Sequence, residues 1–289
     1  MRMIRNAMMR VAAIQMNSQS DVQGNLQLAD QLLAEAAGDG CQLAVLPENF
    51  ALMPQQGRDK ARHAEQEDAG PIQEFLSDAA KRHGLWIVAG SMPLASPEAE
   101  RVYGACPVYD SDGTRRALYR KIHLFDVKLP DLEESYQESW SMYPGDEPVT
   151  VDTPAGRIGL TICYDVRFPE LFRRLVDEGA TIFTVPAAFT KVTGMAHWST
   201  LMRARAIENL AYVVAPGQYG EHPDGRATYG HSMIIDPWGE VLAEQAEGNG
   251  IVAADIDPDL PAKLRSEFPA LSNRRLLTSL RAKRSNHHE

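Results

Sequence analysis

Of the 289 residues only three are cysteine. Cys41, Cys106 and Cys163 show no paired spacing, which excludes a disulfide framework and a zinc ribbon. Long hydrophobic runs are missing too. No apolar stretch approaches the ~20 residues that a membrane-crossing helix needs. Positive charge is in deficit, with 29 Lys and Arg against 39 Asp and Glu and a formal net charge of −10. Such a surface repels nucleic acid and anionic membranes. The basic opening Met1–Arg10 lacks the apolar segment of a signal peptide. A reduced, cytoplasmic location is therefore expected, with Met8 or Met9 as the initiator because the first strand begins just after them. Also absent are G-x-S-x-G, H-E-x-x-H, the P-loop and G-x-G-x-x-G, so the rival hydrolase and nucleotide-binding schemes lack support.

What is present is an ordinary globular composition, 44% hydrophobic and 24% charged, in a chain long enough for one large domain or two small ones. Strands are expected at 11–16, 41–46, 85–90, 181–185, 212–215 and 251–256. Helices are expected around Leu26–Ala36, from Pro71 to Gly84, from Phe168 onward and around Trp198–Ala206, where apolar residues recur at helical spacing. Asp110-Ser-Asp-Gly113 and Pro237-Trp-Gly239 mark hairpins. Residues 51–69 read as a polar surface loop or irregular helix, and 126–147 as a long loop, uncommon in a compact domain unless functional. A further helix is expected after Asp257, and a charged, frayed tail from Arg281. Helices alternate with strands while hairpins interrupt the series, which favours mixed sheets with helices outside them in one domain. Pattern alone leaves one doubly wound sheet and two stacked sheets both open.

The chain is organised around Arg157–Leu175. A buried strand runs to Cys163, and a helix begins near Pro169, whose missing N–H costs little in a first helical turn. Cys163 then sits at a strand end, facing a helix N-terminus, with Arg167 close in sequence. Both influences lower a thiol pKa. A lone cysteine there is more often a small buried hydrophobe, the reading given to Cys41 and Cys106. Two other stretches shift the balance. Glu48 in Ala44-Val-Leu-Pro-Glu-Asn-Phe50 lies just past a strand end, where open α/β sheets place functional groups. Lys121 in Tyr119-Arg-Lys-Ile-His-Leu-Phe125 ends a hairpin strand. Together they answer the needs of amide hydrolysis: a nucleophile in Cys163, a proton acceptor in Glu48, and positive charge from Lys121 against the tetrahedral oxyanion, helped by the backbone N–H of Tyr164.

The segments LPENF, YRKIHLFD and GLTICYDVRFPELFR resemble the three signature segments of the nitrilase superfamily, the carbon–nitrogen hydrolases. PAAF, TGMAHW, RARAIEN and YGHSMIIDPWG extend the likeness over roughly residues 10–275. The resemblance implies a four-layer αββα sandwich with two mixed β-sheets, a homodimer formed through helices, no metal and no organic cofactor. It implies Glu48, Lys121 and Cys163 as the catalytic set, and a second glutamate that YQESWSMYPGD places at Glu138, orienting Lys121 and the attacking water. Glu133 and Glu134 stay open as alternatives for it. Arg167 is expected to brace the nucleophile turn by ion pairs, Trp198 to form a pocket wall or part of the core, and His231 to be a hydrogen-bonded structural histidine. Within the superfamily the loop from Gly217 to Tyr229, which carries Arg226, most resembles the branch acting on deaminated glutathione. The implied substrate is an anionic small-molecule amide, with Arg226 a candidate contact or a solvated turn residue. An ω-amidase acting on 2-oxoglutaramate is the alternative; carbamoylase, nitrilase and a non-catalytic binding protein rank below it.

Overall fold

The computed structural model describes residues 7–56, 58–128 and 135–276. In chain order the first half runs β1 (Met9–Gln15), α1 (Val22–Gly38), β2 (Leu43–Val45), a short α2 (Asp59–Arg62), α3 (Pro71–His83), β3 (Trp86–Val88), β4 (Met92–Ala95), β5 (Val102–Tyr109) and β6 (Arg115–Arg120). A small hairpin follows, β7 (Asp126–Lys128) with β8 (Ser135–Gln137), then β9 (Thr150–Thr153) and β10 (Gly156–Leu160). The second half adds α4 (Pro169–Asp177), β11 (Ile182–Thr184), α5 (Lys191–Asn209), β12 (Tyr212–Ala215), the hairpin β13 (Tyr219–Glu221) and β14 (Ala227–Tyr229), β15 (Ser232–Ile235), β16 (Val241–Gln245), β17 (Gly250–Ile256) and α6 (Leu260–Glu267).

Two mixed sheets form from these strands. One has the order β17-β1-β2-β3-β5-β4, with β6 on the other edge of β5; the second has the order β16-β15-β12-β11-β10-β9. The alternation along β1 shows how they are covered. Val11 and Ala13 pack in one core with Leu160, Val213 and Ile234 of the second sheet. Ala12 and Ile14 point the other way, into a core with Leu33 of α1 and Leu76 of α3. Successive strand residues face opposite sides, so the first sheet is sandwiched between helices and the second sheet. On the far side α4 buries Leu171, Phe172, Leu175 and Val176. Each such burial is worth about 1.5–3 kcal/mol. The result is the expected αββα stack.

Most expected elements lie where the sequence puts them. Gly84, at φ +65, ends α3 in the left-handed conformation, which glycine adopts without strain. The start of α3 is capped from a distance: buried Glu65 accepts N–H groups from Ile72 at 2.5 Å and Gln73 at 3.1 Å. The 126–147 segment differs from the expected loop. It contains the β7–β8 hairpin and a 3-10 turn over Glu138–Trp140. The 51–69 stretch is not wholly a surface loop either, since Ala51, Leu52 and Met53 are buried. Glu133, Glu134 and the tail from Arg281 lie outside the described residues.

Candidate active site

Three chain segments meet at one end of the stacked sheets. Glu48 follows β2, the parallel strand between β1 and β3. Its loop sits under Gly90, at φ +62, where a Cβ would lie 2.0 Å from the Pro47 carbonyl oxygen; only glycine fits. The Glu48 carbonyl also accepts from Gln218 Nε2 at 3.0 Å. Cys163 follows β10 of the facing sheet. It takes a left-handed φ of +47 in a tight 3-10 turn, while its N–H donates to Pro186 O at 2.8 Å. Lys121 prolongs the β5–β6 pairing, donating from its backbone to Gly104 O at 2.9 Å.

The side chains converge. Lys121 Nζ, nearly inaccessible, donates to Glu48 Oε1 at 2.8 Å and to Glu138 Oε1 and Oε2 at 3.0 and 2.9 Å. Glu48 Oε2 accepts the Ala188 N–H at 2.8 Å, and Glu138 Oε2 the Phe125 N–H at 2.7 Å. Cys163 opens on the same cavity of about 290 Å3. Burial works against the Lys121 ammonium, but Glu138 and then Glu48 outweigh it and hold its pKa well above the ordinary lysine value. Burial would likewise raise the Glu138 carboxyl, yet Lys121 and Lys60 keep it below the usual value.

The thiol behaves otherwise than the sequence suggests. Burial first, and the Glu48 charge second, push Cys163 well above the ordinary thiol value, with Lys121 pulling the other way. The helix N-terminus and Arg167 do not lower it, because desolvation of a thiolate in this pocket outweighs them. Burial and Glu48 thus favour the thiol form of Cys163 over the thiolate.

The turn itself is braced by residues the sequence reading passed over. Fully buried Asp165 accepts from Tyr119 Oη at 2.7 Å, from the Ile162 N–H at 2.8 Å and from the His123 N–H at 3.1 Å, with His123 Nδ1 at 2.7 Å. It ties the Lys121 segment to the Cys163 turn, and His123 stacks on Phe168 with ring centroids 3.7 Å apart. The bracing arginine is Arg205 of α5, which donates to Val166 O at 2.9 Å, not Arg167. Among the described residues Arg167 has no carboxylate partner. It contacts His197 Nδ1 at 3.3 Å, lies over the Phe189 ring and lines the cavity.

Tyr164 and Arg226 also line the cavity. Arg226 is paired with Asp224 and lies over Tyr136, so it is neither free nor a solvated turn residue alone. Trp198 takes the core position of its two expected ones. It is 1% exposed, donates to His231 O at 2.8 Å, and is absent from the cavity lining, where Phe189 stands instead. His231 is hydrogen-bonded, its Nδ1 2.6 Å from Glu244 Oε1. Cys41 and Cys106 are buried small side chains, the second with its thiol pushed up to about 12 by burial. Lys60 of α2, read only as part of a polar stretch, also lines the cavity.

The family model for carbon–nitrogen hydrolases matches residues 10–265, which span Glu48, Lys121, Glu138 and Cys163. The chain belongs to the carbon–nitrogen hydrolase family. Among similar proteins is the deaminated glutathione amidase of Yersinia enterocolitica, 40% identical over 271 residues, covering 93% of this chain and 94% of that one. The crystal structure of Saccharomyces cerevisiae Nit3, a member of branch 10 of the nitrilase superfamily, superposes with a TM-score of 0.83 at 32% identity, over 94% of this chain and 98% of that one. A glutamate-to-glutamine mutant of the amidase from Nesterenkonia sp. AN1 superposes with a TM-score of 0.78 at 26% identity, over 94% of this chain and 95% of that one, and shows the acetamide moiety of fluoroacetamide covalently added at its active-site cysteine. This carbon–nitrogen hydrolase is accordingly an amidohydrolase with the nitrilase fold. Among the described residues, no helix of the hydrolase is long and apolar enough to cross a membrane.

Proposed function

We propose that the enzyme hydrolyses deaminated glutathione to 2-oxoglutarate and cysteinylglycine, a metabolite-repair reaction, with Cys163, Glu48, Lys121 and Glu138 as its catalytic residues. The observation that carries the reading is Lys121 held between two carboxylates in the cavity that Cys163 enters. Glu48 takes the thiol proton as sulfur attacks the amide carbon. Lys121 and the Tyr164 N–H stabilise the oxyanion. The C–N bond breaks as Glu48 returns the proton to the departing nitrogen, leaving a thioester. Water, positioned by Glu138 and deprotonated by Glu48, then attacks the thioester and releases the acid.

The acidic chain nonetheless carries cationic side chains in this cavity, among them Arg167 and Arg226, which suits a substrate with carboxylates at both ends. A second reading, ω-amidase action on 2-oxoglutaramate, draws support from the Arg226–Asp224 pair, which partly neutralises one of those cations. The same proposal takes the chain as a single domain over 1–289, cytoplasmic and homodimeric.

A side-by-side assay decides the substrate. Wild type is expected to show a higher kcat/KM for deaminated glutathione than for 2-oxoglutaramate, and Cys163→Ala to lose several orders of magnitude on both. A preference for 2-oxoglutaramate moves the enzyme to ω-amidase, and more than about a tenth of activity left in Cys163→Ala removes the nucleophile.

A further inference from the structure

Lys60 is a charged group in this cavity that the mechanism leaves unused. It sits on α2, and the neighbouring acid is already engaged: Asp59 accepts the Gln55 and Gln56 N–H groups at 3.1 and 2.7 Å and pairs with Arg62 at 3.3 Å. Among the described residues the hydrogen-bond partner of Lys60 Nζ is the thioether of Met142, at 3.7 Å. An ammonium has three donors, and sulfur is a weak acceptor. Glu48 and Glu138 bond Lys121, the Ala188 N–H and the Phe125 N–H instead, and among the described residues neither is hydrogen-bonded to Lys60. Burial lowers the Lys60 pKa while the charges of Glu138 and Glu48 oppose that fall; Arg226 is close enough to lower it further. Lys60 and Arg226 thus line the same cavity as Arg167 of the Cys163 turn.

We propose that Lys60 binds the carboxylate on the leaving-group half of the substrate, and so is a specificity-determining residue for the longer amide. This rests on the function proposed above. The acyl half is short, with two methylenes and a ketone between the scissile carbonyl and its carboxylate, which suits the cation in the nucleophile's own turn. The leaving half crosses a cysteine residue and a peptide bond before its terminal carboxylate. That half therefore needs a cation of its own, and Lys60 is one that the cavity holds without a carboxylate hydrogen-bond partner among the described residues.

Deaminated glutathione and 2-oxoglutaramate pass through the same acyl-enzyme and differ only in the leaving group. Lys60→Met is therefore expected to lower kcat/KM for deaminated glutathione about ten- to a hundredfold more than it lowers that for 2-oxoglutaramate, the shared loss being what its charge contributes through Glu138; Lys60→Arg should recover part of the difference. Amidating the terminal carboxylate of the substrate should cost wild type a similar factor and cost Lys60→Met nothing further. Equal losses on both substrates would mean that Lys60 acts through Glu138 or the acyl half, and would overturn the assignment. So would a wild type indifferent to the amidated substrate, a result that needs no variant to fold. A wild type unable to cleave deaminated glutathione at all would instead sink the proposed function, and Lys60's role with it.

Discussion

At the scale of single residues, the surroundings of Cys163 are the most informative feature, since burial and Glu48 both favour its thiol form. Its proton must leave before sulfur can attack, and Glu48 is both the acceptor at hand and, after burial, the main cause that keeps the proton on. Replacing it by glutamine separates the two effects. Glu48→Gln should lower amide hydrolysis by about 10^2- to 10^4-fold, because a carboxamide shuttles no proton. Alkylation of Cys163 by iodoacetamide should not slow in parallel, since removing the negative charge lowers the thiol pKa. Intact-mass labelling rates beside turnover rates test this; a parallel fall in both would mean that Glu48 mainly holds the site together. Glu48, Lys121 and Cys163 were legible because each lies at a strand end inside a distinctive segment. Asp165 and Lys60 were not. A buried aspartate and a solvated one look alike in sequence, and a lysine in a polar stretch carries no sign that its loop folds over a cavity.

Among elements, the connection that matters joins the end of β6 to the turn after β10. Asp165 makes it, with four polar partners and no accessible surface. Asp165→Ala leaves those partners without an acceptor, at about 1–3 kcal/mol for each buried group left unsatisfied. The variant should lose several kcal/mol in denaturant unfolding and most of its activity, with Asp165→Asn milder in stability. Full stability in the alanine variant would remove Asp165 as the tie. Of the long elements, α3 was readable from Pro71 and Gly84 at its ends, and the middle of α5 from its period. The β7–β8 and β13–β14 hairpins were not, because three-residue strands are too short to show a period. Both lie beside the cavity, so the site's outer wall was the least legible part of the chain.

For the whole molecule, alternation told which faces of the strands are apolar but not what covers them. One wide sheet and two stacked sheets leave the same pattern, and the motif resemblance was needed to choose. The surface poses a related question. Val192, Met195 and Ile207 of α5 are exposed, as are Trp238 and Phe268, which pack edge to face with ring centroids 5.7 Å apart. Apolar side chains of this size concentrated on one helix and its surroundings fit a surface covered by a second copy. Sedimentation should give a dimer, and Met195→Asp should shift it toward monomer. A wild-type monomer at micromolar concentration would count against the homodimer.

Cys163 and Glu48, the proposed nucleophile and base, follow strands of different sheets, far apart along the chain. During synthesis Glu48 and Lys121 leave the ribosome well before Cys163. A nascent chain that has formed only β1 to β6 therefore holds Glu48 and Lys121 without Cys163, and its sheet still lacks β17. Reactivity arrives with the docking of the second sheet, so the onset of turnover during refolding times that docking event directly.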